Sequence, residues 1–268
     1  TLSGVARAYA LDHLIHHHVI NDRFGDRIVA LTYCAMCRSI IPFDVTDIGP
    51  LFVGSYKNAN MIVADRRTGT FFQQATFKSI TGRLHPSELT MVPYEMLTFK
   101  ELRCSGDVPE FARFTERDLR PFDLPIPGLW RRIVGSEVTP GVSRQRHDGS
   151  LPARTLVVGL REKGMPPVAV RGAAVRDRGV VSLADLRVAL VSTGGGINAF
   201  STRTPLGTID LELTGDGHLR DLRGGSVWTA RGKAVSGPNF DDLRRLAISE
   251  EYWFSWKLFH PEAVLHQG

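Results

Sequence analysis

Two of the chain's three cysteines, Cys34 and Cys37, stand three positions apart in the run Leu31-Thr32-Tyr33-Cys34-Ala35-Met36-Cys37-Arg38-Ser39. Two thiols at this spacing can face one point, so they can chelate a soft metal or exchange electrons through a disulfide. The thiolate is the reactive form in both chemistries. A third reading is inert burial, because cysteine is among the most buried residue types and Arg27–Leu31 reads as a core strand. The remaining cysteine, Cys104, falls in what reads as a polar loop and has no partner motif.

Four of the nine histidines, His13, His16, His17 and His18, precede the cysteine strand. On a helix His13 and His17 share a face, His16 lies beside them and His18 turns away. One imidazole delivered to two thiolates makes a three-ligand site for copper or zinc, with a fourth position open to water, substrate or a small anion. Solvated decoration of an exposed helix face is the alternative. Of the acids that could act as bases, Asp22 sits in a turn signature, Asn21-Asp22-x-x-Gly25. Asp65 opens a second turn, Asp65-Arg66-Arg67-Thr68-Gly69. No Ser-His-Asp order, nucleotide loop or paired-carboxylate spacing is present.

The chain has 268 residues, 43% of them hydrophobic, enough for one large domain or two smaller ones with a proper core. Three cysteines cannot form a disulfide framework. The net charge of +5 arises from 33 basic and 28 acidic residues. The arginines alternate with acids and lack an aromatic platform, which argues against a nucleic-acid partner. No apolar run reaches the roughly 18 residues that a membrane span needs. The first residue is Thr1, so a precursor extending further upstream is expected.

The chain also compares with itself. Leu89–Lys100 aligns without a gap on Leu246–Lys257, Asp65–Phe72 on Asp221–Trp228, Ser79–Gly82 on Ala234–Gly237, and Val29–Leu31 on Val188–Leu190, all at nearly the same offset. This predicts a β-rich α+β fold of two degenerate tandem copies in a pseudo-twofold arrangement. Residues 1–104 form the first copy, 105–153 an inserted connection rich in Pro, Gly and charge, and 154–268 the second copy. Each copy is expected to hold a short helix or turn, an apolar strand and a second strand. A D-x-x-x-G turn then joins a hairpin, and a terminal amphipathic helix follows. In the first copy the hairpin joins Met61–Ala64 to Thr70–Gln73. In the second, Tyr252, Trp253, Trp256 and Phe259 recur at helical spacing, as packing residues do. The second copy opens with the strand Thr155–Leu160 and a turn at Lys163-Gly164, for which the first copy has no equivalent. Where the first copy has Tyr33–Cys37, the second has Ser192-Thr193-Gly194-Gly195-Gly196. The thiols are gone while the strand persists, so the first copy is the chemically equipped one. The glycine run itself is a weak candidate for a backbone anion cradle.

The segments Ala6-Arg7-Ala8-Tyr9, His17, Asn21-Asp22, Thr32-Tyr33-Cys34-x-x-Cys37, Asp65-Arg66-Arg67-Thr68-Gly69 and Tyr252-Trp253-Phe254-Ser255-Trp256-x-x-Phe259-His260-Pro261 together resemble the prokaryotic domain-of-unknown-function family numbered 3179. The likeness covers nearly the whole chain apart from the central insertion. It implies that His17, Cys34 and Cys37 are the family's helix histidine and paired cysteines, that Gln74 and Asn60 match polar family positions, and that the protein works outside the cytoplasm. The chain departs from the family where Ala35-Met36 replaces a common Pro-Leu and where Arg38 replaces a usual Gly. That arginine places a fixed positive charge beside the second thiol, which is expected to lower a thiolate pKa and attract an anion.

The resulting expectation is a soft-metal protein, binding copper or zinc through His17, Cys34 and Cys37. If it is an enzyme, Arg38, Asn60 and Gln74 orient a small-molecule or anionic ligand. The alternatives are a metal-free dithiol redox protein in which Cys34 attacks and Cys37 resolves, and a binding or scaffold module with inert thiols.

Overall fold

The structure, a computed structural model, describes residues 2–107, 109–113, 139, 142, 148–161 and 165–266. It is strand-rich, with several small sheets and four short α-helices among the described residues. Most of the expected connection 105–153, and the turn at Lys163-Gly164, lie outside the described residues.

The chain folds into two units. The first gathers residues 1–92, 108–155 and 251–263; the second gathers 93–107, 156–250 and 264–268. The division differs from the sequence boundaries at 104 and 153 in one respect above all. The segment after each main block belongs to the other unit.

The first unit is built on two antiparallel sheets. One has the order β1 (Val19–Phe24), β2 (Arg27–Cys34), β3 (Ser39–Asp44) and β8 (Thr90–Met91); the other is a meander of β4 (Leu51–Lys57), β5 (Asn60–Asp65), β6 (Phe71–Gln73) and β7 (Ser79–Thr81). β2 is the central strand, rich in β-branched and apolar residues, as a strand buried between neighbours must be. Its register sets Ala30 opposite Phe43, Thr32 opposite Ile41 and Cys34 opposite Ser39. Since paired residues share a face, the Cys34 side chain continues the row of Ala30 and Thr32 into the core. That core collects Ala30, Ile41, Phe43, Leu51, Met61, Val63, Phe72 and Phe254 around the two thiols.

Hydrogen bonds within this unit reassign several sequence signals. The helix Leu11–His17 ends where His18 takes a left-handed φ of 60°, and the strand β1 begins at once. Asn21 and Asp22 therefore lie on β1, ahead of the turn at Gly25-Asp26 rather than inside it. The Asn21 amide donates to the Leu51 carbonyl and accepts from the Leu51 amide, each at 2.8 Å, which ties one sheet to the other as a ladder pair would. Asp22 receives Arg7 and the Tyr9 hydroxyl, so the Arg-x-Tyr and Asn-Asp segments are one structural knot. Asp65 accepts from the Thr68 amide at 2.7 Å and from the Thr70 amide at 3.3 Å, closing the expected β5–β6 hairpin. The helix Trp253–Phe259 forms as expected, with Trp253 and Trp256 buried as packing residues.

The second unit has one sheet of Val180–Leu183, Val188–Ser192, Ile197–Ser201 and Arg245–Leu246, and a meander of Leu211–Leu213, His218–Asp221, Val227–Thr229 and Ala234–Ser236. The expected strand is present as Leu156–Leu160, antiparallel to Val168–Arg171, which runs parallel to Val264–His266. Residues 93–107 are held here by an ion pair in which the Arg231 guanidinium takes both Glu95 oxygens at 2.9 Å and Asp107 at 2.6 Å. A helix occupies Phe99–Cys104, capped reciprocally by Thr98 and Glu101. Cys104 is thus the exposed last residue of a helix rather than part of a polar loop.

The triple glycine follows from how close this segment runs. The Gly194 amide donates to the Glu101 carboxylate at 2.7 Å, so the anion it cradles is the protein's own. A Cβ on Gly195 would lie 2.5 Å from the Leu97 backbone. Backbone cannot yield as a flexible side chain can, so Gly195→Ala is expected to destabilise the protein by about 2–3 kcal/mol, read as a lower urea midpoint with an unchanged slope.

Candidate functional site

The loop carrying the thiols is the four-residue connection 35–38 of the β2–β3 hairpin, closed by the Cys34–Ser39 pair. Arg38 turns the chain with a φ of 57°. A left-handed residue at this point is what glycine accepts most readily, so Arg38 holds a backbone that glycine would take at lower cost. The turn brings the two Sγ atoms to 3.0 Å, both at 0% exposure.

A second turn closes the site from the facing sheet. Asn58 and Ala59 join β4 to β5 with φ of 53° and 60°, the backbone signature of a tight two-residue hairpin. This aims the Ala59 carbonyl at the sulfurs, 3.2 Å from Cys37 and 3.5 Å from Cys34. The next residue, Asn60, donates from Nδ2 to Cys37 Sγ at 3.2 Å and to Gln74 Oε1 at 3.2 Å. Its Oδ1 is held by the Ala75 amide at 3.1 Å and by the Gln73 amide side chain, which leaves only the NH2 edge to face the sulfur. Gln74 in turn donates to Thr32 Oγ1 at 2.8 Å and accepts from Ser39 Oγ at 3.2 Å, and Thr32 donates to the Ile41 carbonyl at 2.6 Å. Thr32, Ser39, Asn60 and Gln74 are all fully buried. A buried network of this kind is tolerable because its members satisfy one another.

The two thiols differ in acidity. Burial alone would raise both, but at Cys34 it is outweighed by the hydrogen bond from the Cys37 thiol and by the backbone amides of Cys37 and Met61, which bring its pKa below the ordinary thiol value. Cys37 is pushed well above it by burial, then by the proton it shares with Cys34 and by the charge of its neighbour, with Ser255 acting the other way. The shorter contact from the Ala59 carbonyl, an acceptor that favours S–H, also falls on Cys37. The two sulfurs are therefore unequal, Cys34 being the more acidic and Cys37 the one that holds its proton more firmly. A further influence is the charge of Glu251, buried at 1% exposure, which raises both thiols.

Among the residues expected from sequence, the structure gathers Cys34, Cys37, Asn60 and Gln74 into one cluster. Arg38 is exposed, and the charge effect it has is on the Tyr33 phenol, which it lowers against the dominant rise from burial. His17 is exposed in the last turn of its helix, its ring 4.7 Å from those of His13 and His16. Among the described residues, no three or more His, Cys, Asp or Glu side chains converge as a metal centre would have them. Sequence reading did not single out Gln73, the Ala59 carbonyl, Glu251 or Ser255. Gln73, adjoining Gln74 in a Phe-Phe-Gln-Gln run, was the one with a local signal.

Elsewhere, the second unit has a cavity of about 190 Å³ bordered by Thr208, Asp221, Arg223, Ser226 and Asn239. Its carboxylate, Asp221, is occupied by the backbone amides of Asp210, Arg223 and Gly224, a turn-forming role like that of Asp65.

The thiol cluster and the segments around it define a strand-rich protein with a buried Cys-x-x-Cys hairpin. The family model described as Protein of unknown function (DUF3179) matches residues 1–263, and the chain belongs to that family. Neither a curated protein nor a solved structure matches it.

In a Cys104→Ser background, thiolate ultraviolet absorbance is expected to rise in two separated steps, one equivalent below the ordinary thiol pKa of about 8.5 and the second well above it. Asn60→Ala, which removes the donor on Cys37 and takes the acceptor from the buried Ala75 amide, is expected to cost about 1–3 kcal/mol in denaturant unfolding.

Proposed function

We propose that the first unit carries a dithiol–disulfide redox couple made by Cys34 and Cys37. The observation that carries this reading is the pair of sulfurs 3.0 Å apart with opposite shifts in acidity. Two sulfurs bound to one tetrahedral zinc at about 2.3 Å would stand about 3.8 Å apart. The pair here is closer than that, and forming an S–S bond of about 2.05 Å asks for an approach of only about 1 Å.

The chemistry balances with a disulfide as the oxidant. The Cys34 thiolate attacks one sulfur of the substrate disulfide, whose S–S bond breaks, and the departing thiolate takes a proton from solvent. Cys37 then attacks Cys34 Sγ in the mixed disulfide. It loses its proton in doing so, and the second substrate thiolate leaves and accepts that proton. Two electrons pass from the cysteine pair to the substrate. Asn60 and Gln74 hold the sulfurs in register, and the Ala59 carbonyl keeps the resolving thiol protonated until it is needed.

In glutathione buffers of graded potential, the full chain is expected to interconvert reversibly between dithiol and Cys34–Cys37 disulfide. Cys37→Ser should accumulate a mixed disulfide on Cys34. A pair that stays reduced in oxidised glutathione after full equilibration would overturn the reading.

The second reading is soft-metal binding, copper or zinc, with Cys34 and Cys37 as thiolates and His17 as the nitrogen donor. What favours it is the amide N–H of Met61 and that of Cys37 on Cys34 Sγ, a pattern that stabilises a thiolate ligand as well as a nucleophile. It requires the sulfurs to spread and His17 to leave its exposed place beside His13 and His16. Stoichiometric metal in purified protein, lost in Cys34→Ser, would establish it.

We also read the two units as degenerate copies, the first equipped and the second structural. Support comes from the same order of elements in each. A seven-residue helix leads into a three-stranded hairpin series, followed by a four-stranded meander with a D-x-x-x-G turn.

A further inference from the structure

The thiol loop does not seal itself. Its two consecutive carbonyls, Met36 and Cys37, are each held by residues far along the chain. The Met36 carbonyl accepts from the Arg154 guanidinium at 2.9 Å, and the Cys37 carbonyl accepts from the Tyr252 amide at 2.9 Å. The two holding segments are themselves zipped together, with the Trp253 amide on the Thr155 carbonyl at 2.8 Å and the Phe254 amide on the Ala153 carbonyl at 3.0 Å. The Arg154 guanidinium lies over both the Tyr252 and Phe254 rings, 5.0 Å from each centroid. Phe254 belongs to the same apolar cluster as the sulfurs, with Met36 and Tyr252 packed against it. Arg154 is thus the pin of a clasp that joins the loop, the segment 153–155 and the segment 252–254.

We propose that this clasp is the gate of the dithiol, so that Cys34 and Cys37 are reached by local release of residues 252–255 from the loop and not by unfolding of the unit. The inference rests on the thiol pair being a working site and adds its regulation. A site at 0% exposure exchanges nothing with a substrate until something moves. Release also draws the buried Trp253 and Phe254 side chains from their packing, so the opening is a sub-global one that costs more than fraying, while β1–β3 and the meander stay paired.

The test is alkylation of the reduced full-length chain by iodoacetamide, followed at the Cys34 and Cys37 peptides by mass spectrometry. Cys104, already exposed, serves as the internal standard. Across urea concentrations below the unfolding transition, the rate at Cys34 is expected to rise less steeply than the global unfolding constant, because local release exposes only part of the surface that unfolding does. Arg154→Ala removes a charged hydrogen bond and the ring contacts, and should speed labelling of Cys34 by about tenfold or more with no change at Cys104. A Cys34 rate that tracks global unfolding in the wild type would overturn the gate, as would an unchanged rate in folded Arg154→Ala. Should that variant fail to fold, the urea slope of the wild type decides alone. Alkylation needs access and a thiolate but no disulfide chemistry. A failed gate therefore leaves the glutathione experiment standing, and a failed redox couple leaves the gate measurable.

Discussion

The structure of the first unit depends on keeping two sulfurs and several amide and hydroxyl groups out of water without leaving any of them stranded. Burying a polar group with no partner costs a few kcal/mol, a large fraction of the stability of an ordinary domain. The Asn60 and Gln74 amides meet this constraint jointly. Asn60 has its oxygen fixed by Ala75 and Gln73 and gives its NH2 to Cys37 and Gln74, while Gln74 accepts from Ser39 on the same oxygen and gives its own NH2 to Thr32. The sulfur that accepts from Asn60 and gives toward the Ala59 carbonyl is in this sense one more member of the network. Its acidity is set first by burial and then by the neighbouring Cys34.

Backbone conformation aligns these groups. Arg38 and Ala59 both take left-handed φ values that L-residues seldom adopt, and they do so in the two turns that meet at the thiols. One turn closes the cysteines upon each other. The other directs a carbonyl and then an amide side chain at them. In the second unit the hairpin loop between Val188–Ser192 and Ile197–Ser201 holds a run of three glycines, and the segment of residues 93–107 comes close enough to hydrogen-bond to it directly through Glu101.

Much of this was legible in the sequence, and what was not has a common cause. The Cys-x-x-Cys spacing, the Asp65 turn with its hairpin, and the aromatic packing of Trp253 and Trp256 are local patterns, and local patterns carry their own evidence. The resemblance carried by Thr32–Cys37 and the Trp-rich ending named the family correctly. Other features depend on partners more than a hundred positions away, such as Arg154 with Met36 or Tyr252 with Cys37, and no spacing announces them. Asn21 departs from the turn preference of Asn and Asp, since here its side-chain amide imitates a strand partner for Leu51. The helix bearing the histidines stops at His17 because His18 adopts a left-handed backbone, a geometry that histidine reports less clearly than glycine would.

The exchange of covering segments has a consequence for how the protein is made. Residues 251–263 belong to the unit that holds the thiols, yet they leave the ribosome after every residue of the second unit's main block. During synthesis the cysteine hairpin therefore emerges well before the segment that covers it. Burial of the sulfurs waits on residues 251–263, so a segment made late covers thiols made early.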